Sequence, residues 1–192
     1  MDKRTQKKLI RVLSSVFIAL ALIFVQQHGW LPTQQIQDTV KNVSPGYYHV
    51  VKFDDGDTIA VDMEGKTETI RFIGVDTPET HDPRKAVQCY GKTASAFTKS
   101  TIGTQDVRLE ADSLGGNRDR YNRLLRYVYL PNGALLNYEL VKNGYGFAIT
   151  GFPHTKMETF VNAETEAKSA KRGLWGSCQL EVVKGITRTM PE

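Results

Sequence analysis

The sequence predicts an α+β fold that is mainly β, with five short strands and about three helices. The strands are predicted by short segments in which apolar residues alternate or cluster between turn residues such as Gly, Pro and Asp. The helices are predicted by longer segments with apolar residues at three- and four-residue steps, two of them ending before a glycine. With 192 residues and 40% hydrophobic residues, the chain can form one domain with a real core plus extensions.

The first three predicted strands follow one another closely and cover residues 47–53, 58–63 and 69–75. Turn signals lie between them, at Asp55-Gly56 and at Glu64-Gly65. Three strands joined by such short turns favour an antiparallel meander.

Two further strands are predicted, at 107–112 and 124–130, on either side of a glycine-rich charged loop. The predicted helices cover the segments 92–102, 134–143 and 156–172. This pattern fits a small closed barrel of the OB type with inserted and appended helices, one of several α+β arrangements that it allows.

The first 25 residues have the character of an export signal or membrane anchor. They hold five of the 25 basic residues and one of the 21 acidic residues, followed by an uncharged apolar run from residue 12 to 25. The nearly uniform apolar character favours an export signal or anchor over a buried amphipathic helix. The apolar stretch of about 17 residues is near the short end of the membrane-spanning range, and we favour an uncleaved anchor over a cleaved signal. Basic residues before the run place the remainder outside the cytoplasm, anchored or secreted after cleavage.

Residues 26–46 are polar and rich in glutamine, which predicts a linker before a domain at 47–178 and a C-terminal tail at 179–192. Beyond residue 25 the chain carries 20 basic and 20 acidic residues. Any phosphate binding must therefore come from local clusters and not from net charge.

The chain has two cysteines, Cys89 and Cys178. In an exported protein an even number of cysteines suggests a disulfide, although two unrelated thiols are the alternative. A bridge here would tie the C-terminal segment to the middle of the domain and could stabilise it by up to about 4 kcal/mol.

Candidate functional residues lie where predicted strands begin or end: Asp57, Arg71, Asp76, Glu79 and Arg123. Taken singly, each has an ordinary explanation as part of a solvated hairpin, a turn cap or a surface charge. A barrel can bring strand ends together, and carboxylates with a backbone carbonyl and water make a calcium site. Two arginines beside it can bind a phosphate.

The ordered motifs of this chain resemble those of the staphylococcal nuclease (thermonuclease) family over about residues 50–175. The motifs are Asp55-Gly56-Asp57-Thr58, Arg71-Phe72, Val75-Asp76-Thr77-Pro78-Glu79-Thr80, Tyr90-Gly91 with Ala94-Ser95-Ala96-Phe97-Thr98, and Asp119-Arg120-Tyr121-Asn122-Arg123. The resemblance implies an OB-fold and a calcium-dependent nuclease that acts on DNA and RNA and leaves 3′-phosphate ends.

The resemblance also implies a role for each matching residue. Asp57, Asp76 and the carbonyl of Thr77 would hold calcium, and Glu79 would act as the general base. Phosphate contacts and substrate binding would fall to basic residues and one tyrosine, namely Arg71, Arg123, Arg84, Lys85, Arg120 and Tyr121. Asn122 stands where the family has glycine, and asparagine tolerates the left-handed backbone that this implies.

We therefore expect an exported, metal-binding endonuclease with DNA and RNA as substrates. We expect a monomer with no protein partner, in contact with the membrane if the N-terminal segment stays attached. The alternative is an OB-fold module at the cell surface that binds nucleic acid without cleaving it. A degenerate copy of this kind should lack a carboxylate or an arginine of the catalytic set, and this sequence retains all five.

Overall fold

The computed structural model describes residues 46–80 and 86–191, which lie within one compact unit, Pro45–Glu192. The expected signal or anchor and nearly all of the expected linker fall outside the described residues, as do Arg84 and Lys85. Within the described ranges, no helix is both long enough and apolar enough to cross a membrane.

The chain forms nine strands and four helices within the described residues. The strands are β1 Tyr47–Asp55, β2 Thr58–Met63, β3 Lys66–Phe72, β4 Val75–Asp76, β5 Val107–Glu110, β6 Leu124–Tyr129, β7 Phe147–Ala148, β8 Leu180–Val183 and β9 Ile186–Thr189. The helices are α1 Gly91–Ile102, α2 Leu136–Lys142, α3 Met157–Ser169 and α4 Leu174–Ser177.

Five of the strands close into a barrel in the order β1-β2-β3-β6-β5. The first three form the predicted antiparallel meander, and β1 pairs with β5 to complete the ring. Strands β3 and β6 pair in parallel, with Arg71 opposite Leu125. This pairing brings the end of β3, which holds Arg71, beside the start of β6, which Arg123 immediately precedes. The predicted five-stranded, mainly β architecture is confirmed.

The third strand is shorter at its C-terminal end than we predicted. Strand β3 ends at Phe72, and Gly74 takes a φ of 78°, which turns the chain. Residues Val75–Asp76 then form β4, which pairs outside the barrel with β7. A side chain at Gly74 would lie within 2.8 Å of His154 and Phe160, so glycine is required both for its backbone conformation and for space.

The helices cover the core as their apolar faces predict. In α3, Phe160, Ala163 and Ala167 are buried, and Leu174 of α4 is fully buried beyond them. The Trp175 ring meets the Phe147 ring edge to face, with centroids 5.2 Å apart. The C-terminal part of the chain is thereby fixed against the barrel.

The segment that we expected as a C-terminal tail contains the antiparallel hairpin of β8 and β9. A disulfide joins Cys89, just before α1, to Cys178, just before the hairpin, with Cα atoms 5.9 Å apart. The amide of Cys89 donates to the carbonyl of Met190 at 2.9 Å, and Gln88 forms a β-bridge with Pro191. The hairpin therefore returns to the segment that carries Cys89.

Candidate active site

Arg71 is the last residue but one of β3, and backbone carbonyls on either side of the β3–β4 turn hold its side chain. Its Nη1 donates to the carbonyl of Val75 at 2.6 Å and to that of Phe72 at 3.0 Å. The side chain is only 12% exposed. Two carbonyl acceptors from the same turn fix the position of the guanidinium group.

The same guanidinium lies between two carboxylates. Nη2 of Arg71 is 2.6 Å from Oδ1 of Asp76 in β4, and Nη1 is 3.3 Å from Oδ2 of Asp57 in the β1–β2 turn. Three predicted site residues, separated by up to 19 positions in sequence, thus lie in contact.

Asp57 is buried, and it accepts two hydrogen bonds from Thr77, which follows β4. Oδ2 of Asp57 accepts from the backbone N–H of Thr77 at 2.7 Å and from its hydroxyl at 2.9 Å. Oδ1 accepts from the hydroxyl of Thr58 at 3.0 Å. Both Asp57 and Thr77 are below 10% exposed, so their mutual position is fixed by packing as well as by hydrogen bonds.

The charges of the other predicted site residues affect the pKa of Asp76. Loss of solvation next to the surrounding protein raises the pKa of the Asp76 carboxyl, and the negative charges of Asp57 and Glu79 raise it further. The positive charges of Arg71 and Arg123 lower it, but the pKa stays above its ordinary value. The Asp76 side chain is 54% exposed, so solvent can reach the carboxylate beside Arg71. The charges of the other four predicted core site residues therefore all act on Asp76.

Glu79 is held through its backbone by Gln88. The N–H of Glu79 donates to Oε1 of Gln88 at 2.7 Å, and the N–H of Gln88 donates to the carbonyl of Glu79 at 3.0 Å. The Glu79 carboxylate accepts from the N–H of Thr80 at 3.0 Å. These bonds hold the candidate base at the start of the segment that leads to α1.

Arg123 is oriented by an acid of its own loop. Its Nε donates to Oδ2 of Asp119 at 2.7 Å, and Oδ1 of Asp119 accepts from the amides of Tyr121 and Arg123. Burial raises the pKa of Asp119, but the hydrogen bonds and charge of Arg123 outweigh it and lower the pKa. Asp119 therefore stays ionised and fixes the direction of the guanidinium.

The remaining predicted substrate contacts form an exposed basic and aromatic surface next to Arg123. Tyr121 is 64% exposed, its hydroxyl accepts from Nη2 of Arg120 at 2.7 Å, and Arg120 and Arg123 both lie over its ring. Asn122 has a φ of 65°, the left-handed conformation expected at that position. Arg84 and Lys85 fall outside the described residues, so their placement stays a prediction.

The carboxylates of Asp57, Asp76 and Glu79 are of the kind that binds a divalent cation. Asp57 and Asp76 present carboxylates on the two sides of Arg71, and mutual repulsion among Asp57, Asp76 and Glu79 would be relieved by a cation. Among the described residues, no group of three or more His, Cys, Asp or Glu side chains is arranged to hold a metal. The carboxylates would therefore need backbone oxygen and water as further ligands, which suits a hard cation such as calcium.

Sequence reasoning did not identify two of the residues that orient this site. Asp119 belongs to a motif that we noted, and its four-residue spacing to Arg123 is a signal that could have revealed the pair. Gln88 carries no sequence signal, because its contact to Glu79 depends on how the chain returns after the segment between them.

The sequence of this chain is similar to a family of nucleases and to several individual nucleases. The model of the family described as "Staphylococcal nuclease homologue" matches residues 69–177. The chain is 38% identical to the thermonuclease of Staphylococcus hyicus over 176 residues, which is 91% of this chain and 99% of that protein. It is also 38% identical to the thermonuclease of Staphylococcus intermedius over 165 residues, 85% of this chain and 95% of that one. Endonuclease YncB of Bacillus subtilis is 43% identical over 123 residues, 63% of this chain and 57% of that protein.

Proposed function

We propose that this chain hydrolyses DNA and RNA with calcium and leaves 3′-phosphate ends. The proposal starts from the fact that the chain belongs to the staphylococcal nuclease family and is a nuclease. The observation that carries this proposal is the contact of Arg71 with Asp57 and Asp76 at one edge of the barrel. A guanidinium and two carboxylates held together in this way suit a phosphate and a cation bound side by side.

The two arginines would bind the phosphate that is attacked. Arg71 is fixed by the β3–β4 turn and Arg123 by Asp119, so neither has to be ordered when substrate arrives. In the transition state the non-bridging oxygens gain negative charge, and donors already in place stabilise that charge more than the ground state.

Glu79 would accept the proton of the attacking water. The water oxygen forms a bond to phosphorus, and the bond from phosphorus to the 5′ oxygen breaks. The 5′ oxygen takes up a proton from solvent and leaves as a hydroxyl, and the phosphate stays on the 3′ side. A carboxylate in hydrogen-bond reach of the water is a suitable base for this step. The backbone bonds of Glu79 to Gln88 support this role, because they fix the point from which the side chain extends.

Asp57, Asp76 and the carbonyl of Thr77 are the residues that would hold calcium. When bound, calcium supplies positive charge at the phosphate and a site for water. The burial of Asp57 and its hydrogen bonds from Thr77 keep these ligands in place beforehand.

We further propose that the enzyme acts outside the cytoplasm, either anchored by residues 1–25 or released. This rests on the basic and then apolar order of that segment. The disulfide at Cys89 and Cys178 supports it, because disulfides persist in oxidising compartments.

The decisive test is a cleavage assay with the full chain purified in mild detergent. We expect it to degrade denatured DNA and RNA when calcium is added and to stop when a chelator is added. The products should resist 3′ extension by a polymerase until a phosphatase has removed the terminal phosphate.

Each result separates the alternatives. A folded chain that binds single-stranded DNA at every calcium concentration but never cleaves it would favour the non-catalytic module. Cleavage that continues in excess chelator would overturn the calcium requirement, and products that extend directly would overturn the assignment of 3′-phosphate ends.

A further inference from the structure

The C-terminal hairpin and the disulfide meet the chain at Gln88, which is the backbone partner of Glu79, and at the next residue, Cys89. Gln88 bonds Glu79 at two points, with distances of 2.7 Å and 3.0 Å. Its neighbour Cys89 is bonded covalently to Cys178. A single residue, Gln88, therefore connects the proposed general base to the C-terminal part of the chain.

The C-terminal segment holds Gln88 and Cys89 through its backbone as well. Gln88 forms a β-bridge with Pro191, and the amide of Cys89 donates to the carbonyl of Met190 at 2.9 Å. The amide of Met190 in turn donates to the carbonyl of Gln179 at 2.9 Å, next to the disulfide. The contacts form a closed circuit through both ends of the hairpin.

This circuit is connected to the core through Leu174 and to α1 through Gly91. The amide of Cys178 donates to the carbonyl of Leu174, whose side chain is fully buried. On the other side, the amide of Gly91 at the start of α1 donates to the carbonyl of Gln88. A displacement of Gln88 would thus be resisted by α1, by α4 and by the hairpin.

We propose that Gln88 is a positioning residue for Glu79, and that the C-terminal hairpin and the Cys89–Cys178 disulfide hold Gln88 in the position that makes Glu79 effective. The inference rests on the proposed role of Glu79 as general base. It adds that a segment outside the barrel sets the rate of the reaction through a defined chain of contacts.

The effect should appear in kcat and not in KM. Gln88 supports the base, whereas the phosphate would be bound by Arg71 and Arg123, which are held by other contacts. A base displaced by about 1 Å can lower the rate about 100-fold.

The test begins with Gln88→Met, which keeps the length of the side chain and removes the acceptor for the Glu79 amide. We expect kcat to fall about 10- to 100-fold with KM nearly unchanged. Gln88→Glu retains an oxygen acceptor and should recover most of the lost kcat. Gln179→Met is the matched control, because that side chain is exposed and only its backbone takes part in the circuit.

A double-variant cycle separates positioning from general loosening of the fold. If Gln88 acts through Glu79, Gln88→Met should cause no further loss in a chain that already carries Glu79→Gln. Losses that multiply in the double variant, or an unchanged kcat in Gln88→Met, would overturn the proposal.

The disulfide is tested by reduction of the folded wild-type chain. We expect a reductant to lower the kcat of the wild-type chain. In a chain with Cys89→Ser and Cys178→Ser, kcat should already be low, and the reductant should not change it. Equal activity of the oxidised and reduced wild-type chain would overturn the part of the proposal that concerns the disulfide.

Amide hydrogen exchange without substrate provides a readout that does not depend on activity. Exchange at Glu79 should be faster in Gln88→Met and in the reduced wild-type chain than in the oxidised one. If the wild-type chain cleaved nothing, the proposed nuclease function and the predicted effect of Gln88 on kcat would both be refuted. The exchange rate at Glu79 would still decide whether Gln88 and the disulfide hold that residue. Cleavage by the wild type with unchanged exchange at Glu79 would overturn the positioning alone.

Discussion

At the scale of single residues, Arg71 and Arg123 have different surroundings. Arg71 contacts Asp57, Asp76 and two carbonyls, so it supports the β3–β4 turn as well as the site. Arg123 is paired with Asp119 inside one loop. Replacement of Arg123 should therefore disturb the barrel less and report more directly on the reaction.

We predict that Arg123→Ala lowers kcat about 100- to 1,000-fold, because a positioned donor to the transition state is lost. The chain should remain folded, since Arg123 lies just before β6, its side chain is 29% exposed, and it is not one of the buried core residues. Steady-state kinetics on a short single-stranded substrate, with circular dichroism as a check of folding, would measure this.

The matched control is Arg108→Ala. Arg108 is also an arginine in an ion pair, but it lies opposite Tyr129, at the far end of β6 from Arg123. It should keep the kcat of the wild-type chain. Equal losses in both variants would mean that general positive charge, and not the position of Arg123, assists the reaction.

At the scale of elements, sequence patterns predicted those segments whose neighbours are close in the chain. The strand bounds 58–63 were correct, and the start of β6 at Leu124 was also predicted. Alternation and turn residues report on local geometry, which is why the meander was recognised. The parallel pairing of β3 with β6 and the two-residue strands β4 and β7 leave no periodic signal, because they depend on contacts between distant segments.

The same limit applies to the site. Asp57, Arg71 and Asp76 could be found from the sequence because their motifs resemble those of a known family, and the structure brings them into contact. Gln88 could not be found, because it acts through a return of the chain that no local pattern encodes. We expected a tail where the hairpin of β8 and β9 lies, although the sequence held a signal for it: Lys184-Gly185, both with positive φ, forms a two-residue turn between segments rich in β-branched residues.

A buried polar network centred on Asp112 connects three elements. Asp112 follows β5 and accepts from the Tyr127 hydroxyl in β6 at 2.8 Å and from the amide and hydroxyl of Thr155 before α3. The Tyr127 hydroxyl also lies 3.0 Å from Nδ1 of His154. Burial alone raises the pKa of Asp112, but the hydrogen bonds from Thr155, Leu114 and Tyr127 outweigh it and lower the pKa strongly.

This network predicts a loss of stability in acid. Burial lowers the pKa of His154, so the folded state resists its protonation and loses stability as the pH falls below about 6.5. Asp112 has a lowered pKa in the folded state, so its contribution is present above about pH 4 and is lost as the pH falls further. The free energy of unfolding should thus decrease with falling pH over both ranges.

The variant Asp112→Asn tests the lower range. We expect it to lower the free energy of unfolding by about 2–3 kcal/mol at pH 7, because charged hydrogen bonds are lost. The difference from the wild type should shrink below about pH 4. Asp106→Asn, at an exposed pair with His49, should show little change at either pH. Urea titrations across the pH range measure both, and a constant difference between Asp112→Asn and wild type would contradict the assignment.

At the scale of the whole molecule, the site is assembled from segments that folding must bring together. Asp57 comes from the β1–β2 turn, Arg71 and Asp76 from β3 and β4, and Arg123 from the start of β6. The disulfide joins residues 89 positions apart, and the chain between them contains α1, β5, β6, α2, β7, α3 and α4. Formation of the site and completion of the barrel are therefore one event, and a ligand that binds the site should stabilise the entire fold.

We predict that calcium raises the melting temperature of the protein. Asp57, Asp76 and Glu79 repel one another in the folded state, and a cation bound only there would shift the folding equilibrium. At a calcium concentration about 100 times the dissociation constant, the gain of about 2.7 kcal/mol should correspond to a rise of about 5–10 °C. In Asp57→Asn this rise should be lost, whereas Asp106→Asn should retain it, and differential scanning calorimetry with and without a chelator measures both. An equal rise in the two variants would place the stabilising calcium elsewhere on the molecule, and the contacts of Asp57 with Thr77 and Arg71 would then serve the architecture of the turn alone.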